Sequence, residues 1–96
     1  MARPKKEQLH LVNASDASLF WVADGKALRN LRDLAWALKE MNDATFSCHA
    51  NKEKNDFANW VAEVLQDEAL AKLLRGSKTK ATALKKIEER LKEYQD

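Results

Sequence analysis

At 96 residues, 45% apolar and with a formal net charge of +2, the chain has material for one hydrophobic core and excludes a second independently folded domain. Its single cysteine, Cys48, excludes an internal disulfide and a cysteine-based zinc site, which suits a reducing compartment and makes the cytoplasm the expected location. No apolar run nears the roughly 18 residues that span a bilayer, and the opening residues lead into no signal-peptide core, so a membrane is not an expected partner.

Residues 1–8 hold the lone proline and three basic side chains without apolar periodicity, which predicts a disordered basic arm ahead of a single domain over 9–96. Leu19 to Ala23 is rich in strand-favouring types. Asp24-Gly25 follows and predicts a tight type I′ turn, with Lys26 to Arg29 as the returning strand. Two strands are marginal alone, so this hairpin needs a helix beneath it.

Asn30 followed by Asp33 marks a helix start. The first helix is predicted from Leu31 to about Met41, with Leu31, Leu34, Ala35, Leu38 and Met41 on its core stripe and Trp36 about 140° away from it. Asn42-Asp43 predicts a short second helix over Ala44 to Ala50 that places Phe46 and His49 on one face. A polar connector leads to a third helix capped by Asn55 or Asp56, whose stripe is Phe57, Trp60, Val61, Val64 and Leu65. The fourth begins at Gln66-Asp67-Glu68, turns Leu70, Leu73 and Leu74 inward, and ends at Gly76 in the left-handed region. Ser77 or Thr79 opens the last helix, with Leu84, Ile87, Leu91 and Tyr94 inward and a charged wet face. The predicted class is mostly α: a short N-terminal hairpin followed by about five short helices in one compact domain.

The run Phe20-Trp21-Val22-Ala23-Asp24-Gly25 with Leu28, Leu31, Leu34 and Leu38, then Phe46 with His49, then Asn55-Asp56-Phe57-Ala58 with Trp60 and Leu70-Ala71, resembles a family of short uncharacterised archaeal and bacterial domains. The resemblance spans roughly residues 19 to 75. It implies the fold and brings no activity with it. Trp36 departs from the family pattern, which has a polar residue there.

Acid-base or nucleophilic chemistry needs a positioned pair or triad. Cys48 and His49 are the best pair available, yet neighbouring helical residues point about 100° apart, so no catalytic residues are expected. His10, Cys48 and His49 lack zinc-ligand spacing, and the two glycines, Gly25 and Gly76, form no phosphate loop, so neither metal nor cofactor is expected. His49, Asn55, Asp56 and Trp60 form a candidate polar network, read first as a pin between helices because buried polar groups require partners whatever the function.

The charge is unevenly spread. Residues 11–75 hold eight basic and ten acidic side chains, against three and one in residues 1–10 and six and four in residues 76–96. Arg3, Lys5 and Lys6 at one end and Lys78, Lys80, Lys85 and Lys86 at the other are therefore candidate phosphate contacts, and nucleic-acid binding is the alternative function. The leading expectation is a noncatalytic domain that binds a protein partner or a second copy of itself. Trp36 is its candidate interface residue, the competing role being a floor under the hairpin.

Overall fold

The computed structural model describes residues 9–95. The basic arm expected over 1–8, with Arg3, Lys5 and Lys6, lies outside the described residues. Strand β1 (Leu9–His10) leads through a 3-10 turn at Asp16–Ser18 into β2 (Phe20–Trp21) and β3 (Ala27–Leu28). Helices α1 (Leu31–Glu40), α2 (Asp43–His49), α3 (Asp56–Glu63), α4 (Glu68–Arg75) and α5 (Lys80–Leu91) follow, and β4 (Tyr94–Gln95) closes the order.

The hairpin pairs Phe20 with Leu28 and Trp21 with Ala27. The Val22 amide then bonds the Lys26 carbonyl, and the Gly25 amide bonds the Val22 carbonyl, both at 2.8 Å. The loop is therefore three residues long, Ala23 to Gly25, and not the two-residue type I′ turn the Asp-Gly pair predicts. Gly25 sits at φ 99°, the left-handed position that closes a three-residue loop. Alternation puts Phe20, Val22 and Leu28 inward and leaves Trp21 and Ala27 on the outer face.

Each helix begins with a side-chain cap. Asn30, Asn42, Asn55, Asp67 and Thr79 accept from the amides of Asp33, Thr45, Ala58, Leu70 and Thr82, each satisfying one of the donors that a helix start leaves free. Helix α1 buries the predicted stripe of Leu31, Leu34, Ala35, Leu38 and Met41. Fully covering each leucine contributes about 1.5–3 kcal/mol before entropy is counted. Helix α3 packs on α4, and α5 packs on both α1 and α4.

Leu73, expected inside, is 47% exposed. The contact face of α4, which meets α3 and α5, is centred on Leu70, Ala71 and Leu74, all fully covered. Gly76 is also not left-handed, having φ −89° and ψ −3°. The left-handed exit lies one helix earlier, at Gln66 (φ 61°), where the Asp67 amide turns back onto the Val61 carbonyl at 3.0 Å.

A second small sheet was not legible in the sequence: β1 and β4 pair in parallel, Leu9 with Tyr94 and His10 with Gln95. It joins the two ends of the described chain. Among the described residues, no helix is long and apolar enough to cross a membrane.

Candidate functional site

The hairpin rests on aromatic rings from α2 and α3. Phe20 stacks on Phe57 with ring centroids 5.2 Å apart and meets His49 and Trp60 edge-on at 5.1 and 5.6 Å. Trp36, expected as either floor or interface, is not part of this cluster. It is 53% exposed, with the Lys26 ammonium 5.5 Å above its ring. Trp21 is 62% exposed on the hairpin's outer face, whereas Trp60 is buried and donates its indole N–H to the Ser18 carbonyl at 2.8 Å.

Of the four residues of the candidate polar network only His49 and Asp56 bond one another; Asn55 and Trp60 fasten separate pairs of elements. His49 Nε2 accepts the Ala23 amide at 2.9 Å, so the ring proton lies on Nδ1 and is donated to Asp56 Oδ2 at 3.0 Å. One imidazole thereby ties the hairpin loop to α2 and α3. Asn55 caps α3 through Oδ1 and donates through Nδ2 to the Leu74 carbonyl at 3.1 Å, fastening α3 to the end of α4. Burial alone would raise the Asp56 carboxyl, but hydrogen bonds from His49 and Lys54 outweigh it and hold the group below the usual aspartate value.

Cys48 is exposed. It lies about 200° around α2 from the buried Phe46. Both nitrogens of His49 are engaged elsewhere, so the imidazole does not serve the thiol as a base. Among the described residues, no group of three or more His, Cys, Asp or Glu is placed to hold a metal.

The densest polar constellation went unrecognised in the sequence. Asp67, only 6% exposed, caps α4 through the Leu70 amide and receives Arg90 Nε and Nη2 at 2.9 and 3.0 Å and the Tyr94 hydroxyl at 2.6 Å. These bonds fasten α4 to the end of α5 and to β4. An acid at a helix start has a sufficient local explanation, so nothing in the sequence pointed from Asp67 to partners more than twenty residues away.

Among the described residues, the expected phosphate contacts Lys78, Lys80, Lys85 and Lys86 do not converge. The Lys80 ammonium is held on the Met41 carbonyl at 2.6 Å, while Lys85 and Lys86 lie along α5. Lys78 instead lines an open polar groove of about 720 Å³ together with Lys52, Lys54 and Arg75. Comparison with protein-family models, curated proteins and solved structures finds no match to this chain.

Proposed function

We propose that this chain is a noncatalytic binding domain that engages a protein surface, foremost a second copy of itself, through its outward tryptophans. The observation that carries the reading is that two of three tryptophans stand more than half out of the fold, Trp36 at 53% and Trp21 at 62%. Tryptophan is the residue in which binding energy concentrates when an interface closes over it. The cation over Trp36 contributes only about 0.5–1 kcal/mol at an exposed site, which does not account for leaving so large an apolar ring in water. The fastener roles of His49 and Asp56 support the noncatalytic part of the reading.

Sedimentation velocity over a concentration series tests it. Self-association that weakens in Trp36→Ala or Trp21→Ala, with melting temperature retained, supports the proposal; a monomer at every concentration overturns self-association and leaves only a different protein as partner. Nucleic-acid contact is a second reading, favoured by the placement of Lys78 in a basic groove rather than along α5.

A further inference from the structure

The groove is built from three separate segments: the end of α2 with the connector 50–54, the first turn of α3, and the end of α4 with the residues after it. None of its lining residues belongs to the hairpin, α1 or α5, so it is independent of both outward tryptophans. Lys52, Lys54, Arg75 and Lys78 line it against one acid, Glu53. Arg75 shares Nη2 with the Asn59 side chain at 3.3 Å, and Lys54 pairs with Asp56 at 3.1 Å. Lys52 and Lys78 are exposed and have no ionic or hydrogen-bonding partner among the described residues.

A simpler account is that these cations complement the negative ends of α2 and α4. Magnitudes decide against that as the whole account. Each helix end is equivalent to roughly half a charge, so two of them offset about one cation, and the positive start of α3 returns about half of that. Even with Lys54 assigned to Asp56, the groove keeps an excess of more than one positive charge. Its volume falls among those of small-molecule pockets, about 300–1,000 Å³, and exceeds what one inorganic phosphate fills. The Asn59 Nδ2 group adds a donor beside the cations, whereas the Asn51 amide is engaged within the connector, Nδ2 donating to the Ser47 carbonyl and Oδ1 accepting from the Glu53 and Lys54 amides.

We infer that this groove binds a phosphate-bearing nucleotide unit, with Arg75 and Lys78 as the phosphate contacts. Arginine suits such a contact because its planar donors match phosphate oxygens in pairs. The unit comes from a free nucleotide or from a single nucleic-acid strand, and the two sources differ in salt dependence and in the gain from neighbouring phosphates.

Amide-resolved NMR titration of the full chain with adenosine monophosphate and, separately, with single-stranded oligoadenylate tests the inference at low ionic strength. The expected result is shifts at Asn51, Asn59 and Ser77, and affinity about tenfold weaker in Arg75→Gln or Lys78→Gln, as follows from losing one charge-assisted hydrogen bond. Equal affinity for both probes assigns a free nucleotide. Tighter, salt-sensitive binding of the oligonucleotide assigns a strand. Thermal melts establish that the variants are folded, and Lys52→Gln, on the exposed connector, provides a third variant that touches no helix. The inference is overturned if neither probe shifts the groove amides, if the groove variants bind unchanged, or if the loss appears instead in Lys85→Gln and Lys86→Gln on α5.

Discussion

Asp67 and Arg90 meet as a two-pronged ion pair, Nε on Oδ2 at 2.9 Å and Nη2 on Oδ1 at 3.0 Å, with the Tyr94 hydroxyl as a third donor at 2.6 Å. Burial alone would raise the Asp67 carboxyl, but the bonds from Arg90, Tyr94 and the Leu70 amide prevail and hold it below the usual aspartate value. A lowered folded pKa means that the unfolded chain takes up the proton first. The contribution is whole above about 3.9, the unfolded value, and is lost as pH falls through the lower folded value. Tyr94 is shifted upward, first by burial and then by its bond to Asp67, so its contribution is whole below about pH 10 and declines as pH rises beyond it. Asp67→Ala is expected to cost about 3–5 kcal/mol, since Arg90 loses a largely buried partner and α4 its cap. Tyr94→Phe should cost about 1–2 kcal/mol and remove this alkaline decline. Urea unfolding across a pH series measures both; an Asp67→Ala protein as stable as the parent would refute the role of the pair.

His49 joins three elements through one ring, which separates its packing from its hydrogen bonds. His49→Phe keeps a ring against Phe20 and Phe57 but removes the acceptor for Ala23 and the donor to Asp56. The expected cost is about 1–2 kcal/mol, with faster exchange of the Ala23 amide by about tenfold. Hydrogen exchange followed residue by residue reads this directly. Unchanged protection at Ala23 would mean that the loop is held by the hairpin alone.

Two backbone positions invert the rule that glycine marks the left-handed exit of a helix. Gln66 occupies the left-handed region and Gly76 does not. Gln66→Gly is expected to raise stability by about 1 kcal/mol through relief of the Cβ clash. At Gly76 an added Cβ meets only the Leu73 carbonyl oxygen at 3.7 Å, so Gly76→Ala should gain about 0.4–1 kcal/mol by restricting the unfolded chain. Paired thermal melts suffice, and destabilisation by Gly76→Ala would overturn the assignment.

Sequence patterning is most informative where structure is local. Asn30, Asn42 and Thr79 identify helix starts because a cap reaches only three residues ahead, and Leu31, Leu34 and Leu38 identify a buried face because one helical turn brings them together. Leu73 shows the limit: periodicity restricts the buried arc of α4, but its centre depends on where α3 and α5 pack against it. The Asp67–Arg90–Tyr94 constellation, the pairing of β1 with β4 and the basic groove all join residues from separate segments. Each member has an adequate local role, so no residue type in the sequence demands the distant partner. The His49–Asp56 bond was legible because a short connector limits how far α2 and α3 can separate.

The exposed Cys48 thiol should react with a disulfide reagent in the native protein as fast as in the unfolded chain after allowance for intrinsic reactivity. Cys48→Ala should change stability by no more than about 0.5 kcal/mol. Slow modification limited by unfolding would instead place the thiol in the core.

Trp36 and Trp60 give opposite expectations for the same substitution. Trp60 lies among Phe20 and the other residues of α3's buried face, and its indole N–H is bonded to the Ser18 carbonyl. Trp60→Ala removes a large buried volume and should cost about 3–5 kcal/mol. Trp60→Phe keeps most of the packing and isolates the hydrogen bond, at about 1 kcal/mol. Trp36 is half out of the fold and touches the Lys26 ammonium, so Trp36→Ala should cost less than about 1 kcal/mol. Iodide quenching at a dilution that keeps the protein monomeric supplies an independent check, because in the single chain Trp21 and Trp36 are accessible to the ion and Trp60 is not. The parent protein should therefore retain a fluorescence component that iodide cannot reach, and Trp60→Phe should abolish that component. If Trp36→Ala instead costs as much as Trp60→Ala, the Trp36 ring carries part of the core and its role as an outward contact residue falls.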